Sequence, residues 1–456
     1  MNLSGGTFQS SRDGVLAGAG DAALFDHEFL WPDLEAFNWA YDWFDVIAGG
    51  NPNPAIIQLY AGGCRRETSY EELSENSNRV AGWLIRQGVG RGTRILISLG
   101  NEVALWEIQL AALKLGAIVV PVPSSSDGAT LMDRMTFSGA TVLITGPESA
   151  QLLTPGPTWT GITVGGTVPG WSSYEDSYSS PLRHRPRKRS ETDAPFLLEC
   201  SDGIAGGRIQ GWLHSHYACT VGRLADLYFT KLSPGQKYLS TACPGSIEHM
   251  CFSFLGPLTA EATTLVVEDQ GAGSGPASGS GSGSGSGSAI GELLTRESIQ
   301  RIFLSSDLLS DPEVSASRIF NSPGIDVFSS GAPSIVWALN ADRSPLSGRV
   351  RCGLRHHQTT TGVSAAAGNY SQPRGSYRVE SLPGHEIYIL SSGAGLPANA
   401  GEVCIRLREW PSRLTPLPTT YGHTQQIPGI ESLRTGFIGR RLTDGSVVLE
   451  AETDRV

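Results

Sequence analysis

From Ser69 onward the chain alternates between helical and strand periodicity, and that alternation leaves few folds open to it. Ser69 stands three residues before Glu72, the spacing of a capping box, and Leu73, Val80, Ala81, Leu84 and Ile85 then recur at helical spacing up to Gly88, a residue suited to ending a helix. The run Arg94 to Leu99 predicts a strand, Glu102 to Leu115 a helix, and Ile118 to Val122 and Thr141 to Thr145 further strands. Strands separated by helices in this order predict a parallel sheet covered by helices. A second α/β stretch is expected from Phe196 to about Gly353. After Gly375 the periodicity turns strand-like, at Glu386 to Leu390, Glu402 to Leu407 and Ser446 to Leu449, with Gly/Pro turns between. The expected organisation is an N-terminal extension over 1–29, a first α/β subdomain over 30–195, a second over 196–353, and a β-rich subdomain over 354–456.

The remaining segments and the composition narrow the function. Residues 271–288 are nearly pure Gly/Ser and cannot pack a core, so a flexible loop is expected there. The basic run Arg183 to Arg189 reads as a solvated loop between subdomains. With 456 residues, 39% hydrophobic and 17% charged, the chain suits a soluble globular protein with a sizeable core. A formal charge of -10 argues against nucleic acid as a partner, because phosphate backbones are held by a surplus of Lys and Arg. The seven cysteines, Cys64, Cys200, Cys219, Cys243, Cys251, Cys352 and Cys404, form no C-x-x-C pair, and an odd number fits reduced thiols. Met1 to Asp13 has no apolar h-region and no run reaches the length of a membrane span, so the expected location is cytoplasmic, without a membrane partner.

The segment Leu198 to His216 follows a strand and is rich in glycine, as a phosphate-cradling loop is. Further along stand Ser330-Gly331-Ala332-Pro333, His357-Gln358-Thr359, Arg434-Thr435-Gly436, Gly439-Arg440-Arg441 and Asp444-Gly445. In that order and spacing these resemble the signatures of the acyl-CoA synthetase, nonribosomal-peptide adenylation domain and luciferase superfamily. Phe37 to Phe44 is similar to the N-terminal stretch of its medium-chain acyl-CoA synthetases, and Leu113 to Pro121 to the family's helix-to-strand passage. The resemblance implies an α/β fold, the large N-terminal domain of the acyl-CoA synthetase type. That domain has two α/β subdomains with parallel-rich sheets and a small barrel-like β-rich subdomain, enclosing an acyl-sized cavity.

Set against the family's motifs, this sequence departs at the positions that handle ATP. The family's T-S-G-T-T-G-x-P-K-G loop surrounds pyrophosphate with hydroxyls and a lysine, whereas here Ser201-Asp202-Gly203-Ile204-Ala205-Gly206 brings a carboxylate and two side chains that donate nothing. Arg208 supplies a cation after one extra residue. The magnesium-binding glutamate of Y-G-Q-T-E is matched by Thr360, which offers no hard anionic oxygen. The ribose-gripping aspartate of T-G-D is matched by Phe437, and the arginine of G-R-x-D-D by Glu452. The family's C-terminal domain, with its catalytic lysine, has no counterpart before Val456. If each missing contact weakens the transition state by about 2 to 4 kcal/mol, adenylation is lost, and neither ATP nor magnesium is expected as a cofactor.

By the same resemblance His249, Gly331 and His356 or His357 border one acyl pocket, with Glu248, Ala332, Pro333 and Gln358 beside them. Imidazoles from separate segments facing one pocket suit proton transfer near neutral pH. The expected function is therefore ATP-independent binding and acid/base transformation, by cyclisation or condensation, of an acyl, polyketide-like or carboxylic substrate in secondary metabolism. Two alternatives stand beside it: a noncatalytic pseudoenzyme that binds an acyl carrier or partner synthetase, and an AMP-forming ligase whose C-terminal domain acts in trans, which alone requires ATP and magnesium. His214 and His216 read as structural, Asp202 as a solvated loop residue or a base, and Cys200 as a buried thiol. No acidic or cysteine partner stands at zinc-like spacing from the histidines, and no G-x-S-x-G elbow occurs.

Overall fold

The computed structural model describes residues 7–18, 29–34, 36–60, 64–181, 192–203, 207–267, 286–310, 314, 325–330, 350–354, 364–367, 377–382, 384–390, 397, 399–406, 417–420, 423–424, 432–443 and 445–452. Ser69 caps the helix Tyr70–Arg86 with both halves of the capping box: its hydroxyl accepts from Glu72 N–H at 3.0 Å and its own N–H donates to Glu72 Oε2 at 3.1 Å. The next helix, Val103–Leu115, is buried at every residue from Val103 to Lys114. A helix that is buried all round must satisfy its polar side chains internally. Glu107 does so by accepting from the Tyr174 and Tyr178 hydroxyls and from Asn76 Nδ2, and Lys114 Nζ by donating to Asp45 Oδ1 at 2.7 Å and to Ser77 Oγ and Asn78 Oδ1 at 2.9 Å. The sequence stretch around Phe37 is core as well: Trp39 and Phe44 stack at 5.8 Å, and Asn38 Nδ2 donates to Leu113 O at 2.8 Å.

Two sheets flank this central layer. In the first, strands Arg94–Ser98, Ile118–Pro121, Val142–Thr145 and Thr160–Thr163 run parallel, and the hairpin Pro195–Gly203 with Gly207–Ser215 joins beside Ile118–Pro121. In the second, Lys237–Ser240, Thr263–Val267, Arg301–Phe303, Asp326–Ser330 and Val350–Leu354 are parallel. One face of each sheet meets the shared core, through Ile95, Val119 and Leu197 on one side and Tyr238, Phe303 and Phe328 on the other. The outer faces carry separate cores, one with Leu131 and Met135 of the helix Gly128–Ser138, the other with Ile290, Leu293 and Leu294 of the helix Ser286–Arg296.

Sheet membership does not follow the order of the chain. Pro54–Leu59 and Arg65–Ser69 pair into the second sheet through Thr263–Val267, although they precede the whole first sheet in sequence. The hairpin after residue 195 belongs to the first sheet, although the second α/β subdomain was expected to begin there. The late antiparallel strands Tyr377–Ser381, Glu386–Leu390, Ala400–Arg406, Ser432–Arg441 and Val447–Glu452 extend the second sheet around their own core of Val379, Val403, Phe437 and Leu449, while Leu417–Thr420 crosses back to pair with Gly207–Ser215. Of the Gly/Ser stretch, residues 271–285 and the side chains of 286–288 lie outside the described residues, and the helix at Ser286 begins within the end of the stretch. No helix among the described residues is long and apolar enough to cross a membrane.

Candidate functional site

The glycine-rich stretch expected to cradle phosphates forms the tip of the hairpin. Pairing runs from Leu197↔His214 through Ser201↔Gln210, and then slips by one residue to reach Gly203↔Gly207. The slip sets Arg208 and Ile209 against the single residue Asp202, the geometry of a β-bulge, and it absorbs the extra residue noted in the sequence. Ser201 and Arg208 are exposed at this tip, Gly206 is outside the described residues, and the side chains of Asp202 and Gly203 are likewise not described.

Below the tip lies a cleft of about 340 Å³, bounded by Val122, Pro123 and Arg134 of the first subdomain, by Glu199, Cys200 and Ser201 of the hairpin strand, and by Gly245 and Glu248. Its position beyond the end of Ile118–Pro121 is the side of a parallel strand where α/β proteins receive ligands. Gly245 closes the seam between the sheets: its φ is +93°, and a Cβ there would meet Pro123 N and Val122 C at 2.3 Å. The two carboxylates on the wall, Glu199 and Glu248, are accompanied by one cation, Arg134, among the described lining residues. Sequence reasoning had singled out Glu248 and Ser201 and had Gly245 only as part of the loop Pro244 to His249, and it missed Arg134. The Pro244-Gly245 pair carried a turn signal, whereas Arg134 sits in an ordinary amphipathic helix.

Glu248 and His249 are neighbours with different surroundings. Ser246 caps their short helix by accepting from His249 N–H at 3.1 Å. His249 is 1% exposed and packs edge-on against Trp106 with ring centroids 5.1 Å apart. Burial pushes its pKa down to about 3, so the ring is neutral across the physiological range. A ring held neutral in this way is a poor proton shuttle near pH 7. His216 is also buried: its Nε2 accepts from Trp39 N–H at 3.2 Å, and burial lowers its pKa to about 4. His214 lies 3.3 Å through Nε2 from Glu199 Oε2 across the hairpin.

Other expected site positions divide between those described and those not. His356, His357, Gln358, Thr360, Gly331, Ala332 and Pro333 lie outside the described residues. Phe437 is 7% exposed, in the core of the late antiparallel strands, and Glu452 is its register partner. Two positions marked in sequence as departures from the ATP site therefore stand opposite each other in one ladder. Among the described residues no group of three or more His, Cys, Asp or Glu side chains is placed to hold a metal.

Two packed parallel sheets around a buried helical layer, with a cleft where a glycine-rich hairpin meets the seam, define an adenylate-forming type of domain. Residues 47–272 match the AMP-binding enzyme family, and over that span the chain belongs to it. It is similar to the acetyl-coenzyme A synthetase of Bacillus subtilis, 26% identical over 220 residues, covering 46% of this chain and 38% of that protein. It is also similar to the salicyl-AMP ligase / salicyl-S-ArCP synthetase of Mycobacterium tuberculosis, 26% identical over 267 residues, with 55% and 42% covered. Among solved structures, an acyl-CoA synthetase of Brucella canis superposes with a TM-score of 0.73 at 18% identity, over 97% of this chain and 80% of that one. The N-terminal subdomain of Klebsiella oxytoca NpsA, in complex with 3-hydroxybenzoyl-AMSN, gives 0.64 at 18% identity over 92% and 100%. The matches to these two curated relatives span only about two-fifths of their length.

Proposed function

We propose that this protein uses the AMP-binding fold to hold an acyl or carboxylic ligand without converting it to an acyl adenylate. The observation that carries this reading is the cleft wall. Beside a hairpin tip bearing Asp202 and Arg208, the wall sets Glu199 and Glu248 against one guanidinium, that of Arg134, among the described lining residues. Two like charges about 4 Å apart repel by about 4 kcal/mol at an effective dielectric of about 20, so carboxylates near a triphosphate oppose its binding. Ile204 and Ala205 add no donor, and Phe437 packs into a core instead of offering a carboxylate to a ribose. The residues present do not fit ATP and magnesium.

The burial of His249 against Trp106, which keeps its ring neutral, favours a binding role over acid/base transformation. The ligand class comes from the relatives: an acetyl-coenzyme A synthetase, a salicyl-AMP ligase and a subdomain in complex with 3-hydroxybenzoyl-AMSN each involve the acyl group of a carboxylic acid. Partners of the same chemistry, an acyl carrier or a synthase that delivers an acyl group, follow from it. Titration with a panel of aliphatic and aromatic carboxylic acids, with and without magnesium ATP, tests the reading. Saturable binding of an acid that is unchanged by the nucleotide is expected; binding that requires ATP contradicts it.

A further inference from the structure

In the second sheet the strand order reverses between Lys237–Ser240 and Arg301–Phe303, because the chain leaves the first toward Thr263–Val267 and the second toward Asp326–Ser330. Sheets of this kind receive ligands beyond the carboxyl ends of their strands at such a reversal of order. Three serines stand at that edge. Ser240 pairs in register with Phe303, and Phe303 with Phe328. The two-residue period of a strand then puts Ser240, Ser305 and Ser330 on the face that carries Tyr238, Phe303 and Phe328, toward the central core. Leu239, Ile302 and Val327 take the opposite, wholly apolar face.

The hydroxyls differ in what they touch. Ser240 Oγ is satisfied by Ser253 Oγ at 2.8 Å. Ser305 Oγ and Ser330 Oγ are buried and have no hydrogen-bond partner among the described residues, and Ser330 as a whole is only 4% exposed. Leu304 N–H donates to Phe328 O at 2.8 Å, closing the Phe303↔Phe328 pair, and Ser305 and Ser330 each follow that pair by two residues. Aromatic rings floor the edge: Phe252 stacks on Phe303 at 4.3 Å, and Phe229 meets Phe328 at 5.5 Å. Buried hydroxyls without partners destabilise a fold, and a pair of them at a switch point is accounted for by a ligand that supplies the missing bonds.

We propose that Ser305 and Ser330 receive a hydroxyl, carbonyl or amide group of the ligand, so that the bound acid carries a second polar group besides its carboxyl. This rests on the acyl-binding reading above. Matched pairs separate the two: 3-hydroxybenzoate against benzoate and 3-hydroxydecanoate against decanoate, titrated calorimetrically into the full chain. In at least one pair the hydroxylated member is expected to bind about tenfold more tightly, as for a site whose polar groups are otherwise left unpaired. The double variant Ser305→Ala/Ser330→Ala is expected to bring that ratio below about threefold while melting at the same or a higher temperature, since it loses no internal hydrogen bond. Equal affinities within both pairs overturn this proposal alone, as does a double variant that keeps the discrimination or melts lower. Binding of none of the four acids overturns it together with the reading it rests on.

Discussion

Gly245→Ala is expected to destabilise the protein by about 3 kcal/mol or more and to distort the cleft, measured by chemical denaturation. Two independent costs meet at this position. A φ of +93° lies where L residues are strained, a cost of about 1 to 2 kcal/mol on its own. The new Cβ would also stand 2.3 Å from Pro123 N and 2.5 Å from Val122 O, backbone atoms that move only if the end of a first-sheet strand moves with them. Gly50→Ala is the control, because Gly50 has a φ of +69° with nothing within 4 Å of its would-be Cβ, so only the backbone cost applies. A Gly245 variant no less stable than the Gly50 variant would show that the seam is not held at this glycine.

Acidification from pH 7 to pH 5 is expected to cost about 4 kcal/mol of folding stability through His216 and His249 together. Burial lowers both folded pKa values, to about 4 and about 3, below the unfolded value near 6.5. Between those limits the unfolded chain binds more protons than the folded one. Stability is therefore full above the unfolded pKa, falls as the pH drops through it, and stops falling below the folded values. Each ring contributes about 2 kcal/mol by pH 5, at about 1.4 kcal/mol per pH unit. Glu107, whose pKa burial raises, works in the opposite sense, so the test is differential. His216→Gln and His249→Gln should each remove about half of the acid-induced loss seen in the parent chain. Variants that lose as much stability as the parent would mean that these rings do not stay neutral in the fold.

The parallel core was legible because its signals are local. The Ser69 capping box, the helical run Glu102 to Leu115 and the β-branched run Ile118 to Val122 each report on a few adjacent residues, and the structure forms helices at Tyr70–Arg86 and Val103–Leu115 and a strand at Ile118–Pro121. Long-range pairing was not legible. Nothing in Pro54–Leu59 says that its partner is Thr263–Val267, some two hundred residues on, or that Leu417–Thr420 returns to the first sheet. At the site, the altered phosphate stretch was readable as chemistry, and its extra residue resolves as the bulge opposite Asp202. The state of His249 was not readable, because burial against Trp106 decides its protonation and only the fold brings Trp106 there.

The central claim is that this AMP-binding fold no longer holds the nucleotide, and calorimetric titration of the full chain with ATP and magnesium tests it most directly. The account predicts no saturable heat up to millimolar ATP; saturable binding in the micromolar range would contradict it.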